Sequence, residues 1–323
     1  MSEKIRIGTR ASELALRQAR MVEKALSERG GGVQCELVTF TTIGDKRVGE
    51  PFSEIGAKGL FTSELEAALE KSKVDCCVHS LKDLPTESPE GLEIVALLER
   101  EDPRDVLVVN PVTQADSLAS IPPGSRVGTS SLRRRAQLAA ARPDLEVVEL
   151  RGNVPTRLRK VDTGQVHAAI LAAAGLIRLD ARQRIAAYLD PPDWLGAAGQ
   201  GAIAVQMRSD DDRVRSLLSP LHHEPTGVST RAERAFLAAL DGGCQVPIGA
   251  LAWNGKTGND ALILHGFVSD IRGRTFVRGW RLVDAAFPED TGRALAADLR
   301  RQGATSLLIE LRSTERVIAP QPE

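Results

Sequence analysis

Side chains that bind anions follow five predicted strands of this chain. They are Thr9, Arg10 and Ser12 after IRIG, Lys82 after CCVHSL, Thr129, Ser130, Ser131, Arg133 and Arg134 after SRVG, Arg151 after VVEL with Arg157 a turn into the next helix, and Arg178 after ILAAAGL. The carboxyl ends of parallel strands meet at one rim of a sheet, and ligands bind beyond that rim. Hydroxyls, helix N-termini and forked guanidiniums at one rim suit several carboxylates or phosphates. The placement therefore predicts an anion site, although any one arginine taken alone is typical of a solvated surface.

The stretch GTSSLRRRAQ (residues 128–137) places three consecutive arginines just after two serines. If Ser130 or Ser131 caps a helix, the arginines occupy its first turn, where cations cost about a few tenths of a kcal/mol each. Successive helix residues point about 100° apart, so the three arginines cannot all face one ligand. We assign Arg133 and Arg134 to the anion and Arg135 to solvent.

One carboxylate, Asp83, stands inside this basic group, in HSLKDLP (79–85). A carboxylate beside cations stays ionised, which suits it to stabilising a positive charge that develops during a reaction. A structural salt bridge with Lys82 or a nearby arginine is the alternative, and the sequence leaves both open. His79 is predicted to be a strand residue rather than a catalyst.

Cys244 follows two glycines in DGGCQVPIG (241–249), in a predicted loop after a helix. Small neighbours let a bulky group approach its sulfur, so the thiol is a candidate nucleophile or covalent anchor, or else a small buried hydrophobe. Spacing alone favours the buried hydrophobe. The adjacent His222 and His223 are poorly spaced for one metal ion and no cysteine cluster accompanies them, so we predict no metal site.

Composition places the chain among ordinary globular proteins. It has 323 residues, 42% apolar and 26% charged, with a formal net charge of −1 and only 3% aromatic residues. Scarce aromatics and a near-neutral charge oppose binding of nucleic acid. No stretch approaches the roughly 18 apolar residues of a membrane span. The first residues run into a strand pattern at once, which leaves no room for a signal peptide, and we expect a cytoplasmic protein.

Strands and helices alternate in two successive units, which indicates parallel sheets with crossover helices. Residues 12–28 form a predicted helix with Ala15, Ala19, Val22 and Leu26 on one face. Residues 191–208 contain a strand that can cross back to the first unit. The polar, glycine-rich segment 44–59 has the composition of a mobile loop.

The final third of the chain changes pattern. Capping-box spacing at Thr230-x-x-Glu233 predicts a helix of about ten residues that ends at Gly242 and Gly243, and Ser63-x-x-Glu66 gives a similar signal earlier. Apolar runs separated by turns then predict an antiparallel meander. FPEDTGRALAADLRRQG supplies a predicted final helix.

Nine stretches of the sequence resemble the porphobilinogen deaminase family. They occur in the family's order from residue 5 to about residue 250, and the final 70 residues match mainly in pattern. The stretches are RIGTRASELALRQA, KGLFTSELEAAL, HSLKDLP, REDPRD, VGTSSLRRRAQL, RGNVPTRL, AAILAAAGLIRL, AAGQGAIAVQ and RAERAFLAALDGGCQVPIG. Ser63 departs from the lysine that many relatives carry there, Arg135 often appears as glutamine, and Pro155 is less usual than a small residue.

The resemblance implies an α/β fold with two doubly wound domains resembling type II periplasmic binding proteins, and a small α+β C-terminal domain with an antiparallel three-stranded sheet. Residues 1–99 and 199–217 would form domain 1 with the catalytic aspartate. Residues 100–198 would form domain 2 with the arginine-rich anion site, and residues 218–323 would form domain 3 with the anchoring cysteine. A monomer that binds porphobilinogen, without a nucleic-acid or membrane partner, is expected.

The activity implied by the resemblance joins four porphobilinogen molecules head to tail into the linear tetrapyrrole hydroxymethylbilane, with loss of ammonia. The primer is a dipyrromethane cofactor attached through a thioether to Cys244, and the catalytic aspartate is Asp83. Each pyrrole carries acetate and propionate arms, so the growing chain is a polyanion that needs many cations. The implied cofactor contacts are Cys244, Lys82, Asp83, Thr129, Ser130, Ser131, Arg133, Arg134, Arg151 and Gly152. The implied substrate contacts are Arg10, Ser12, Gln18, Arg151, Arg157 and Arg178.

Loss of ammonia leaves an azafulvene-like cation on the substrate, and we hypothesise that Asp83 stabilises it while accepting hydrogen bonds from pyrrole N–H groups. Two other functions compete with this one. A non-enzymatic protein that binds anionic solutes would share the two-lobed architecture, but this function would not explain the GGCQ stretch. A nucleic-acid binder recruited through the arginine run would show steep salt dependence.

Overall fold

Alternating strands and helices build two α/β units, and a smaller unit follows them. The computed structural model describes residues 4–28, 33–42, 44, 62–241, 246–255 and 261–318. The strands are β1 (Lys4–Arg10), β2 (Gln34–Phe40), β3 (Cys76–Ser80), β4 (Leu92–Leu97), β5 (Asp105–Val109), β6 (Arg126–Gly128), β7 (Glu146–Val148), β8 (Ala168–Ala172), β9 (Ala187–Leu189), β10 (Ile203–Arg208), β11 (Ile248–Trp253), β12 (Ile263–Ser269) and β13 (Phe276–Leu282).

Helices lie between most of these strands. They are α1 (Glu13–Glu28), α2 (Ser63–Glu70), α3 (Leu132–Ala141), α4 (Val154–Asp162), α5 (Ala173–Arg178), α6 (Asp212–Leu218), α7 (Glu224–Ala239), α8 (Pro288–Leu299) and α9 (Thr305–Ile318). A short 3-10 turn, Leu81–Asp83, follows β3. In the part of the chain that the structure describes, no helix is long and apolar enough to cross a membrane.

The two large sheets are mixed, which corrects the expectation of parallel sheets. The first has the order β2-β1-β3-β10-β4 and the second β7-β6-β8-β5-β9. β1 runs parallel to β2 and β3, and β6 runs parallel to β7 and β8, but β10 and β5 are antiparallel to their neighbours. The chain reaches β10 from the second unit instead of through a crossover helix of its own sheet, so a parallel direction is not imposed on it.

The first sheet confirms the predictions about α1 and about the returning strand. The predicted face of α1, Ala15, Ala19, Val22 and Leu26, is buried. β10 inserts between β3 and β4, so residues 203–208 do cross back to the first unit. The second sheet has its own cores on its two faces. The exact domain boundaries given above stay a prediction.

The third unit is the predicted antiparallel meander, with the order β11-β12-β13. α7 and α8 pack on it, and Phe236 of α7 presses on Gly266, where an added Cβ would lie 2.6 Å from the ring. Two apolar layers, one from helices and one from strands, therefore close around Phe236.

Several predicted helix ends are wrong. α7 begins at Glu224, with Pro225 in its first turn, so Thr230 and Glu233 are interior residues and not a capping box. The residue that precedes α2 as its N-cap is Thr62 instead of Ser63. The chain also continues into α9 beyond the predicted final helix. The predicted loop 44–59, apart from residue 44, lies outside the described residues, as do Gly242 and Gly243.

A buried ion pair joins the third unit to the other two. The carboxylate of Glu233 is fully buried and accepts hydrogen bonds from both arms of Arg100, at 2.7 and 3.0 Å. It also accepts from the backbone N–H groups of Gly199 (2.7 Å) and Ala252 (2.9 Å). One carboxylate thus holds the segment between β4 and β5, the segment before β10, and strand β11.

Glu233→Gln should destabilise the protein strongly, because it leaves the charge of Arg100 buried without a counter-charge. We expect the free energy of unfolding to fall by about 3 kcal/mol, measured by urea denaturation. Glu36→Gln is the matched control, since its ion pair with Lys4 is exposed and its loss should cost less than about 1 kcal/mol. Equal losses in the two variants would contradict this account of Glu233.

Candidate active site

Side chains from both α/β units line one cavity at the end of β3. The predicted site residues that the structure brings together around it are Gln18, Lys82, Arg134, Arg157 and Arg178. Gln18 comes from α1 and Lys82 from the turn after β3, whereas the three arginines lie on α3, α4 and α5 of the second unit. The rim predicted from the strand ends is therefore a cleft between two sheets.

Asp83 lies on the Leu81–Asp83 turn beside this cavity. Its side chain is half-buried, and its negative charge acts on both Lys82 and Arg157. No ion pair joins it to another residue in the described part of the chain, so the structure shows no salt bridge of the kind that was the alternative to a catalytic role.

Lys82 is a buried lysine whose pKa is lowered toward neutral pH. Its Nζ donates to Oε1 of Gln200 at 3.3 Å. Burial lowers the pKa of Lys82 to about 8, and Arg134 and Arg133 lower it further while Asp83 and Asp105 oppose them. At neutral pH the ammonium is still mostly protonated.

Asp105, at the start of β5, organises the arginine run, and sequence reasoning missed it. Its fully buried carboxylate accepts from Arg133 (2.6 Å), Arg134 (2.7 Å), Gln200 (2.9 Å) and the indole N–H of Trp194 (2.9 Å). Burial alone raises the pKa of this carboxyl, but the attraction of Arg133 and Arg134 outweighs burial and holds it well below its ordinary value. The sequence feature that could have revealed Asp105 is an aspartate at the start of the apolar strand DVLVV. A charge buried there requires partners of opposite charge or hydrogen-bond donors.

Arg134 and Arg178 line the cavity, and each has one buried N–H group without a partner among the described residues. Arg134 donates to Asp105 and to the carbonyl of Ile170 (3.0 Å), and Arg178 donates to the carbonyl of Gly201 (2.7 Å). The Nε of each is buried without a hydrogen-bond partner among the described residues. Burial lowers the pKa of Arg178 to about 10. Guanidinium groups that line a cavity are suited to bind carboxylates through charge-assisted hydrogen bonds.

Arg133 lies differently from Arg134. Besides Asp105, its guanidinium donates to the carbonyl of Leu195, and it is not among the residues that line the cavity. Arg135, assigned to solvent from the sequence, is half-buried and donates to the carbonyl of Val147 at 3.4 Å, which corrects that assignment. The helix α3 contacts β7, an edge strand of the second sheet, and this contact places Arg135 near that strand.

Arg157 and Arg151 flank a glycine that the backbone requires. Gly152 has a φ of +111°, and an added Cβ would lie 2.7 Å from a methyl group of Thr156. Nε of Arg157 donates to the carbonyl of Gly152 at 2.7 Å, and Arg151 pairs with Glu149 at 2.5 Å. Burial, followed by the charges of Arg134 and Arg151, lowers the pKa of Arg157 to about 10.

Hydroxyl groups of the predicted site satisfy nearby backbone groups. Ser131 caps α3 by accepting from the N–H of Arg134 (3.4 Å), which confirms the predicted helix start. Ser130 donates to the carbonyl of Leu150 (2.8 Å), and the Thr129 hydroxyl accepts from the N–H of Ser131 (3.2 Å). These bonds fix the segment between β6 and α3.

The remaining predicted contacts belong to the first unit, and of these Gln18 lines the cavity. Ser12 accepts from the N–H of Ala15 (3.4 Å), and Gln18 donates to the Ser80 hydroxyl (2.9 Å). Arg10 is the last residue of β1 and is half-buried. His79 is a buried strand residue, as predicted, and burial lowers its pKa to about 4.

Cys244 lies outside the described residues, so the structure does not test its predicted role. The described chain reaches Asp241 at the end of α7 and resumes at Val246 before β11. Among the described residues, no group of three or more His, Cys, Asp or Glu side chains is placed to hold a metal ion.

Comparison with solved structures finds binding proteins at low sequence identity. The methionine-binding protein MetQ has a TM-score of 0.44 and 15% identity, with 74% of this chain and 94% of that chain covered. A periplasmic sulfonate-binding protein from Methylobacillus flagellatus has a TM-score of 0.41 and 14% identity, with 74% and 69% covered.

Comparison by sequence is far more specific. The porphobilinogen deaminase of Moorella thermoacetica is 50% identical over 309 residues, which cover 96% of this chain and 97% of that protein. The enzyme of the same name from Syntrophobacter fumaroxidans is 47% identical over 95% of this chain and 97% of its own length. The family model for the dipyromethane cofactor binding domain of porphobilinogen deaminase matches residues 5–216, and the one for its C-terminal domain matches residues 228–301. The chain therefore belongs to the porphobilinogen deaminase family.

Proposed function

We propose a division of roles among the residues of this chain for the porphobilinogen deaminase reaction of its family. In that reaction four porphobilinogen molecules are joined head to tail, with loss of ammonia, into hydroxymethylbilane. The observation that carries the proposal is the cavity in which Lys82, Arg134, Arg157 and Arg178 gather beside the turn that bears Asp83. Four cations that line one cavity suit a substrate that is itself a polyanion.

Arg134, Arg157 and Arg178 are the proposed anchors for acetate and propionate arms. Guanidiniums bind carboxylates in a fixed fork, and their partly dehydrated surroundings strengthen each charge-assisted hydrogen bond. All three arginines line the cavity, which supports direct contacts with an anion. Arg10, Arg151, Ser12 and Gln18 are proposed as supporting contacts. For Arg133 the geometry supports orientation of Asp105, and its cofactor contact stays a prediction.

The residues of the cleft fit a dipyrromethane cofactor. Its acid arms need fixed donors, and Lys82 and Arg134 supply cationic donors from the two units that line the cleft. Contacts of the cofactor with Thr129, Ser130 and Ser131 stay a prediction. Cys244 is the proposed thioether anchor. When bound, the cofactor supplies the pyrrole carbon to which the first substrate is joined.

Asp83 is the proposed catalytic residue. As ammonia leaves the aminomethyl arm of the substrate, positive charge grows on the pyrrole, and a fixed carboxylate in a poorly hydrated cleft stabilises that charge. The same carboxylate accepts hydrogen bonds from pyrrole N–H groups, which orients the ring. Lys82 and Arg157 stand close enough to Asp83 for its charge to act on both cations.

The finer properties of the protein are proposals of the same kind. The monomer rests on the sequence resemblance alone. The cytoplasmic location rests on the sequence prediction. A solute-binding function without catalysis does not account for the sequence match, which extends through the C-terminal domain.

Intact-protein mass spectrometry tests the anchor. We expect the wild-type protein to exceed its sequence mass by two linked pyrrole rings and to give a coloured product with an acidic aldehyde reagent. Cys244→Ser removes the thiol that forms the thioether, so this variant should have the bare sequence mass and no activity. Cys35→Ser, a half-exposed control, should keep both adduct and activity. An active wild-type protein without an adduct would contradict the proposal.

Asp83→Asn should lower kcat by roughly 10²–10³-fold, because a neutral amide of the same shape cannot stabilise the developing cation. The covalent adduct should remain, since Asp83 does not form the thioether. Activity and intact mass are measured on the same preparation, with Glu87→Gln as an exposed control four residues away. A variant that keeps wild-type turnover shows that Asp83 is not catalytic.

Lys82 should make loading of the cofactor depend on pH. Burial lowers its pKa to about 8, so it loses its positive charge, and its attraction for carboxylates, as the pH rises through about 8. The rate at which cofactor-free protein gains its adduct from porphobilinogen, followed by mass, should therefore decline above that pH. Lys82→Arg stays charged and should lack this extra decline. If the loading rates of wild type and Lys82→Arg decline in parallel with pH, the titration of Lys82 is not the cause of the decline.

A further inference from the structure

Two consecutive residues of α7 hold the two ends of the Leu81–Asp83 turn. This helix belongs to the third unit, whereas the turn belongs to the first, so the contacts join the unit of the proposed anchor to the unit of the proposed catalytic carboxylate. Glu233 acts on the beginning of the turn and Arg234 on the segment that follows it.

The beginning of the turn is held through Gly199. The backbone N–H of Gly199 donates to Glu233 at 2.7 Å, and an added Cβ on Gly199 would lie 2.8 Å from Cγ of Leu81. Leu81 is buried, and its own N–H donates to the carbonyl of Ala202 at 3.0 Å. The first residue of the turn is thus fixed by packing and by a backbone hydrogen bond.

The segment after the turn is held by Arg234. Its guanidinium donates to three successive carbonyls, those of Leu84 (3.3 Å), Pro85 and Thr86 (3.1 Å). Arg234 is half-buried and has no carboxylate partner among the described residues. A planar fork that spans three carbonyls fixes both the position and the direction of this backbone.

Asp83 depends on these backbone contacts for its position. No hydrogen bond or ion pair joins its carboxylate to another described side chain, so its position depends on the backbone of the turn. The N–H of Leu84 donates to the carbonyl of Leu81 at 3.1 Å and closes the turn around Asp83. A shift of residues 84–86 would therefore move the carboxylate directly.

We propose that Arg234 is a positioning residue for the known reaction, which aims Asp83 by holding the carbonyls of residues 84–86 across the boundary between the third and first units. The proposal rests on the proposed catalytic role of Asp83. Burial lowers the pKa of Arg234 to about 10, so the guanidinium stays charged at neutral pH and keeps its hold on the three carbonyls.

The test compares Arg234→Gln, Arg234→Lys and the control Arg231→Gln. We expect Arg234→Gln to keep its covalent adduct while kcat falls roughly 10–100-fold, since a displacement of about 1 Å has that effect on catalysis. KM for porphobilinogen should stay within about twofold, because Arg234 does not touch substrate. Arg234→Lys keeps one cationic donor and should be rescued in part. Arg231 lies one turn away on the exposed face of α7, and its variant should behave as wild type.

A double-mutant cycle with Asp83→Asn separates positioning from a merely structural role. If Arg234 acts through Asp83, adding Arg234→Gln to Asp83→Asn should lower kcat little further. The proposal is overturned if the Arg234→Gln protein folds, carries the adduct and has a normal kcat. It is also overturned if the variant differs from wild type only by a raised KM or by a missing adduct. If Arg234→Gln does not fold, Arg234→Lys is judged by the same criteria. If Asp83→Asn keeps normal turnover, the catalytic role of Asp83 is overturned. If Asp83→Asn loses turnover while the Arg234 variants keep a normal kcat, only the positioning role of Arg234 is overturned.

Discussion

The buried carboxylate of Asp105 is the constraint on which the anion site depends. It is fully buried, and burying a lone charge costs several kcal/mol, so the structure must surround it with donors. Arg133, Arg134, Gln200 and Trp194 do so. Two guanidiniums against one carboxylate leave one net positive charge at the cleft. The arginine run is therefore at once a structural device and the source of the field that a polyanion meets.

Gln200 extends this arrangement from the second unit to the first. Its amide N–H₂ donates to Asp105 (2.9 Å) and to the carbonyl of Pro103 (2.7 Å), while its oxygen accepts from Lys82 (3.3 Å). A side chain that satisfies both of its ends in this way is fixed in orientation. One residue located just before the strand that crosses back thus contacts both Asp105 and the turn bearing Asp83.

The residues of the cleft were predictable because they depend on local patterns. Strand ends, the Ser131 cap and the apolar face of α1 are readable from spacing, and parallel pairing of β1 with β3 and of β6 with β8 carries their ends to one place. Partners distant in sequence were not predictable. Glu233 has the spacing of a capping box after Thr230, and only its burial against Arg100 shows that it is an ion-pair residue. Pro225 was the local signal for the true start of α7.

The division between arginine and lysine in the cleft has a physical basis. Burial lowers the pKa of Arg157 and of Arg178 to about 10 and that of Lys82 to about 8. An arginine starts from a value so high that it tolerates burial and like-charged neighbours and still stays ionised at neutral pH, whereas a lysine in the same field approaches neutrality. A site that must hold several carboxylates among crowded cations is therefore built mainly from arginine. Asp83 and Asp105 raise the pKa of Lys82 and so partly offset the effect of burial.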